Sequence, residues 1–342
     1  MSDKKYILVT GGAGFIGSHT VVSLKEQGFE PIIVDDLRNA KSFIIDNIRT
    51  ILNHKVMHFK IDCCNFKEME AVFKEFPISG IIHFAAYKAV DESVSQPLKY
   101  YRNNLTSLLT LLELSNKFNV NNFIFSSSCT VYGEPQGNVV VDENSPIQEA
   151  TSAYGQTKII GEKILQDYQR AYSSSKVTAL RYFNPIGAHK TALLGELPIG
   201  KPANLLPYIT QTAIGKLEKL TVYGDDYSTE DGSCIRDYIH VEDLAEAHVM
   251  ALKKAMKSTD GFIDAINIGT GKGTSVLELI SVFEKVTKTK LNYVIGPRRI
   301  GDVPAIYANA AKAKKTLGWE AKRSIEDSVL SAWEWEKYNA KL

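Results

Sequence analysis

Short apolar runs of strand length recur along the first half of the chain: YILVT (6–10), PIIVD (31–35), VMHFKI (56–61), GIIHFA (80–85), NFIFSS (122–127) and VTALRY (177–182). Between them lie longer stretches, IGSHTVVSLKEQ, FKEMEAVFKEF, SLLTLLELSNKF and TKIIGEKILQDYQRAY. Their apolar residues repeat at i, i+3 and i+4, the spacing of one helix face. Continuous apolar strands alternating with such helices predict right-handed βαβ units and a parallel sheet covered on both faces, a doubly wound α/β fold. After about residue 183 the rhythm gives way to Pro- and Gly-punctuated sequence, NPIGAHKTALLGELPIGKPANLLPY. It resumes with shorter helices near 241–257, 275–287 and 325–338. The pattern predicts a larger domain over 1–182, rejoined by a segment near 235–262, and a smaller C-terminal α/β domain over 183–342.

Charge narrows the function classes. Basic and acidic residues number 40 and 39, for a formal net charge of +1, and the lysines are scattered as on solvated helix faces. No nucleic-acid partner is expected. The four cysteines form no CxxC pair and no His/Cys ligand spacing, so neither a metal site nor a disulfide framework is expected. The start, MSDKKYILVTGG, offers an apolar run too short for a signal peptide, and no later stretch has the length of a membrane span. A cytoplasmic protein with no membrane partner is the expectation.

Chemistry first shows in TGGAGFIG, which follows the first strand and opens a helix. Gly12, Gly14 and Gly17 satisfy GxGxxG, and Gly11, Gly14 and Gly17 satisfy GxxGxxG. One glycine serves the tight turn, one lets backbone N–H groups approach a pyrophosphate, and one permits close packing of helix on strand. Asp35, ending the second strand, suits the ribose hydroxyls of adenosine and repels the extra phosphate of NADP, so the predicted cofactor of this Rossmann half is NAD. Asp36 beside it also suits a helix cap, and Asp62 after the third strand is a candidate on the adenine side.

In SAYGQTK (152–158), Tyr154 and Lys158 stand four apart and share a helix face. A nearby ammonium, together with the charge of an oxidised nicotinamide, favours phenolate, so Tyr154 is the candidate base, Lys158 its activator. Ser128, at the carboxyl end of the fifth apolar run, is the candidate third member, hydrogen bonding the reacting hydroxyl. A second pair with the same spacing, Tyr172 and Lys176, straddles a helix exit and carries no such prediction.

Together the glycine turn, the serine-bearing strand and YxxxK resemble the extended short-chain dehydrogenase/reductases. The ordered stretches IHFAAYKAVDESVSQPLKYYRNN, FSSSCTVYGE, LRYFNPIGAH, NLLPYI, YGDDYSTEDGSCIRDYIHVEDLAEAH and RRIGDVPA resemble, within them, the UDP-glucose 4-epimerases, over nearly the whole chain. The resemblance implies NAD contacts from Phe15 and Ile16 and from the loop Asp35, Asp36, Leu37, Arg38, Asn39 and Ala40. It extends them to Asp62, Cys63, Phe84, Ala85, Ala86, Tyr87, Lys88 and Asn103, and to Ser128, Tyr154, Lys158 and Phe183. For a UDP-sugar it implies Lys88, Ser128, Tyr154, Asn184, Asn204 and Leu205, then Thr221, Val222, Tyr223, Arg236, Arg299, Asp302 and Ile306. Guanidinium forks at Arg236 and Arg299 suit a diphosphate, although Arg236 read alone equally suits a salt bridge with Asp237.

The implied reaction is transient oxidation at C4 of the hexose, turnover of the 4-keto sugar, and return of the hydrogen to the other face. Helices around 99–117 and 154–171 resemble the family's four-helix interface, which implies a homodimer. Cys129 and Thr130 replace the carboxyl groups that a 4,6-dehydratase needs. Ile306 is of intermediate size at a wall position that implies tolerance of UDP-N-acetylglucosamine. Asp36, Ala40 and Asn309 also differ from common family choices. A related nucleotide-sugar epimerase, a reductase or an idle NAD-binding regulator remain the alternatives.

Overall fold

The computed structural model describes residues 4–134, 139–299 and 302–342, so Ile300 and Gly301 of the RRIGDVPA stretch lie outside the described residues. Seven strands form one parallel sheet in the order Phe262–Ile268, Lys176–Tyr182, Asn122–Ser126, Ile78–His83, Tyr6–Thr10, Glu30–Val34, Met57–Phe59. The apolar runs are continuous because both faces are covered. In the first strand Ile7 and Val9 enter a core with Val21 and Leu24 of helix Phe15–Glu26 and Leu244, Ala251 and Leu252 of helix Val241–Lys257. Leu8, pointing the other way, enters a second core. There it joins Phe73 of helix Phe66–Glu75, Leu108 and Leu111 of helix Pro97–Lys117, and Leu165 of helix Ala153–Ala171.

Several elements differ from the sequence pattern. Met57–Phe59 is shorter than its apolar run because it lies at the sheet edge, half-buried throughout. The helix expected around 99–117 begins at Pro97, which supplies no N–H and so suits the first turn. The helix carrying Tyr154 begins at Ala153, where Ser152 accepts from the Gly155 N–H at 3.1 Å. Helix Phe43–Leu52 and strand Phe262–Ile268 appear in none of the predicted runs. That strand is half-exposed and broken by Asp264 and Asn267, so its apolar signal is weak.

The later residues build small sheets instead of extending the large one. Thr274–Ser275, Ile235–Arg236, Ala305–Ala308 and Val140–Val141 form one of four strands. Two parallel pairs join Tyr238–His240 to Asn184–Ile186 and Tyr293–Gly296 to Leu220–Tyr223. A third core of Ile186, Leu206, Ile209, Val222, Phe283 and Val329 holds this second domain together.

Candidate active site

The strand order reverses beside Tyr6–Thr10, which pairs with Glu30–Val34 on one side and Ile78–His83 on the other. Ligands of doubly wound folds sit outside the carboxyl ends of the strands at such a point. There Gly11 turns with φ 70° and its N–H donates to the Val34 oxygen at 2.8 Å. A Cβ on Gly17 would lie 2.2 Å from the Gly11 oxygen, and one on Gly11 only 2.8 Å from the Ala85 nitrogen. Backbone therefore packs on backbone and leaves room above the turn. Helix Phe15–Glu26 starts after Gly14 with no side-chain cap and no acidic residue in its first turn, so its N-terminal donors and dipole stay available to an anion. This fits a dinucleotide pyrophosphate.

Asp35 accepts from Ala13 N at 3.0 Å and Leu37 N at 2.9 Å. Burial still raises its pKa, against the pull of those amides. Leu37 takes φ 64° to bring the loop round. Arg38 pairs with both Asp36 and Asp62, and donates to the Tyr87 hydroxyl at 3.1 Å and to Asn103 Oδ1 at 3.4 Å. The adenosine-side candidates are thus gathered around one guanidinium. Asn39 is exposed beside it, whereas Ala40 packs on the first core. Cys63 is different: its side chain is buried in the second core, so only its backbone faces the loop. Phe84 packs on His248, ring centroids 4.6 Å apart. After Ala85 and Ala86, the Tyr87 N–H is fixed by Asn104 Oδ1 at 2.9 Å.

The catalytic candidates converge. Ser128 ends the turn after Asn122–Ser126, its hydroxyl accepting from Thr130 N at 3.2 Å and near enough to the Tyr154 phenol to favour its ionised form. Lys158, on the same helix face, lies 5.7 Å from the Tyr154 ring centroid. Its ammonium donates to the Ser126 backbone oxygen at 2.6 Å. Among the protein's own groups, burial dominates both ionisable side chains. Burial pushes Tyr154 up, helped by Tyr182, and Ser128 only partly opposes it. Burial also brings Lys158 down to about 8, with Glu162 opposing. Desolvation disfavours the charged form of each, the phenolate of Tyr154 and the ammonium of Lys158.

Behind this trio lies a buried network that sequence reading missed. Ser127 donates to Glu162 Oε1 at 2.5 Å, and Arg181 grips Glu162 twice, at 2.9 and 2.6 Å. Arg181 also donates to the Tyr132 hydroxyl at 3.1 Å, which in turn donates to Asn267. The signal was present in TKIIGEK, where a glutamate one turn beyond Lys158 sits on the apolar face.

On the substrate side Arg236 pairs with Asp302 at 3.5 Å and donates to the Val303 oxygen at 2.6 Å. It does not pair with Asp237, which accepts from Thr270, Gly271 and Ala308. Arg236 still acts on the Cys129 thiol, which burial pushes up to about 12. Arg299 lies over the Tyr223 ring, 4.6 Å from its centroid. Thr221 and Tyr223 share one face of their strand, whereas Val222 faces the third core, leaving only its backbone to a ligand. Asn184 N is tied to the Asp237 oxygen at 2.9 Å. Phe183 and Ile306 are buried together with Val131 and half-buried Cys129, beside Ser128. Lys88 and Asn204 both donate to Glu196, a residue with no spacing to mark it in the sequence. Among the described residues no group of three His, Cys, Asp or Glu could hold a metal, and no helix is long and apolar enough to cross a membrane.

The likeness to known proteins extends over the whole chain. It is 48% identical over 338 residues to the UDP-glucose 4-epimerase of Bacillus subtilis (strain 168), covering 97% of each chain. The UDP-glucose 4-epimerase of Stenotrophomonas maltophila, solved with bound NAD and formylated UDP-arabinopyranose, superposes with a TM-score of 0.95 at 41% identity, covering 98% of this chain and 99% of that one. That of Bifidobacterium longum, solved with NAD+ and UDP, gives 0.94 at 45% identity, with coverage of 98% and 99%. The family model for NAD dependent epimerases and dehydratases matches residues 7–269. The chain therefore belongs to the NAD dependent epimerase/dehydratase family.

Proposed function

We propose that this chain interconverts UDP-glucose and UDP-galactose by oxidising the hexose at C4 and reducing it again from the opposite face. The observation that carries this reading is the meeting of the Ser128 hydroxyl, the buried Tyr154 phenol and Lys158 at the carboxyl end of the sheet, beside an uncapped helix start. Near-full-length relatives with that activity support it.

Residues 1–182 with the returning segment hold NAD, and residues 183–342 supply the UDP-sugar side. The glycine turn receives the pyrophosphate, Asp35 the ribose hydroxyls, and the Arg38 cluster the adenosine end. Bound NAD supplies the acceptor and later the donor of the C4 hydrogen, and adds positive charge to the site. Tyr154 takes the proton of the 4-hydroxyl and returns it after the sugar has turned over; Ser128 holds that oxygen in place. Lys158, anchored on Ser126, keeps a cation within reach of the developing phenolate. Arg236 and Arg299 anchor the diphosphate and Tyr223 packs against the base, so the UDP is held while the hexose stays free to rotate. Water is not eliminated from the keto sugar, because a thiol as weakly acidic as Cys129 is a poor proton shuttle.

The enzyme works as a homodimer. Leu98, 76% exposed, stands beside a groove of about 810 Å³ lined by Val94, itself 63% exposed, Tyr101, Ile147 and Ile159 together with polar Gln148 and Gln156, a mixed face that a second copy would cover. Sedimentation of the wild type and of Leu98→Glu tests this: the substitution should shift the dimer toward monomer.

Purified protein incubated with UDP-galactose and no added reductant should form UDP-glucose. A product formed only with stoichiometric reductant would make it a reductase, and no conversion at all would refute the proposal.

A further inference from the structure

Tyr154, Lys158 and Glu162 stand four apart on helix Ala153–Ala171, so they form one stripe, and all three are buried. Each meets one residue of the serine segment at the end of strand Asn122–Ser126. The Tyr154 phenol lies near the Ser128 hydroxyl, the Lys158 ammonium donates to the Ser126 oxygen at 2.6 Å, and Glu162 Oε1 accepts from the Ser127 hydroxyl at 2.5 Å. The first two contacts involve the reacting groups. The third lies behind them.

Ser127 is where the chain leaves the sheet. Its N–H still donates to the Leu180 oxygen at 2.9 Å, whereas Ser128 opens the short helix Cys129–Tyr132. Past that point the strand ladder no longer fixes the backbone, and the wholly buried Ser127 side chain, held by Glu162, does so instead. Arg181, on the neighbouring strand Lys176–Tyr182, secures both ends of the departing segment. It donates twice to Glu162, at 2.9 and 2.6 Å, and once to the Tyr132 hydroxyl, at 3.1 Å. Tyr132 in turn donates to Asn267 Oδ1 at 2.6 Å. Ser128 therefore sits between two anchored points, Ser127 and Tyr132. Burying a carboxylate and a guanidinium costs more desolvation than burying an apolar pair of the same volume, so this pair contributes direction more than cohesion.

We propose that Glu162 is a positioning residue: fixed by Arg181, it holds Ser127 so that the Ser128 hydroxyl and the Tyr154 phenol meet the substrate 4-hydroxyl in one register. The inference rests on the functional reading above. Ser128 and Tyr154 belong to separate elements, a strand end and a helix, and Glu162 ties one to the other. Released from Glu162, the Ser128 hydroxyl drifts and proton transfer to Tyr154 slows, while the contacts to UDP and NAD, made elsewhere, persist.

Steady-state kinetics of NAD-containing protein with UDP-galactose test it. Ser127→Ala removes the hydroxyl and leaves Glu162 paired with Arg181. It should lower kcat roughly tenfold to a hundredfold, the cost of misplacing a reacting group, with KM and NAD content as in the wild type. Tyr132→Phe, which frees the other end of the segment from Arg181, should lower kcat in the same way and gives an independent reading. In a Ser128→Ala background either substitution should cost less than about twofold, because the hydroxyl to be positioned is gone. Wild-type kcat in either variant would overturn the proposal. A loss that persists undiminished without the Ser128 hydroxyl, or one matched by lost NAD, would also overturn it, since it would report general disorder of the site. Failure of the wild type to convert UDP-galactose would instead overturn the functional reading, and the proposal with it.

Discussion

The Lys158 ammonium donates to the backbone oxygen of Ser126 at 2.6 Å and reaches the Tyr154 ring only at 5.7 Å from its centroid. The lysine is thus fixed to the strand that carries Ser128, and its charge acts on the phenol through space. Each of the three serines is committed differently: Ser126 to Tyr182 at 2.7 Å, Ser127 to Glu162, and Ser128 to the Thr130 N–H at 3.2 Å.

Removing the phenolic oxygen should stop proton transfer without disturbing the cofactor. Tyr154→Phe is expected to lose about 10²-fold to 10⁴-fold in kcat. NAD content, read after denaturing the protein, should match the wild type. Unchanged turnover would point to a base elsewhere.

Lys158 is buried and its pKa is brought down to about 8. It is charged below that value and loses the charge as pH rises through it. A reaction that needs the cation should therefore show kcat/KM falling above about pH 8. A rate that stays level to pH 10 would mean that the ammonium is not required.

Burial lowers His19 and His83 to about 3 and His248 to about 4, from 6.5. These rings remain neutral in the fold, while the unfolded chain takes up protons below pH 6.5. Their contribution is whole above 6.5 and is lost as pH falls toward 3–4, at about 1.4 kcal/mol per pH unit for each histidine. Urea midpoints should drop between pH 7 and pH 5; a constant midpoint would show the rings charged in the native state.

Gly17→Ala places a methyl 2.2 Å from the Gly11 oxygen, backbone that cannot rotate aside. The turn must open, at a cost of about 1–3 kcal/mol. The variant should melt earlier and retain less NAD. Wild-type cofactor content would separate this contact from the binding site.

Ile306 packs with Phe183 and Cys129 beside Ser128. Ile306→Tyr should fill space there, lowering kcat/KM for UDP-N-acetylgalactosamine more than for UDP-galactose. Equal discrimination by both proteins would leave Ile306 a packing residue.

What the sequence disclosed follows from where its signals are local. The sheet, the glycine turn and the Tyr154–Lys158 pair rest on neighbours in the chain, and spacing alone reveals them. Periodicity marks Glu162 as a charge on an apolar face but not Arg181, its partner on a strand, and Glu196 meets Lys88 from 108 positions away, so spacing reveals neither pairing. The burial that raises the Tyr154 pKa is likewise invisible to spacing, which reports a nearby charge, whereas burial depends on every element packed around the ring. Strand Phe262–Ile268 escaped notice because an edge strand with polar interruptions has the composition of a loop.

That strand hydrogen bonds along its whole length to Lys176–Tyr182, although the chain first passes through the other lobe and returns as helix Val241–Lys257. The two lobes are consequently stitched by repeated crossings and cannot be severed into independent parts. A polypeptide ending at residue 182 would expose a naked β edge and lose the Val241–Lys257 helix that roofs Phe15–Glu26, so it should aggregate, not bind nucleotide.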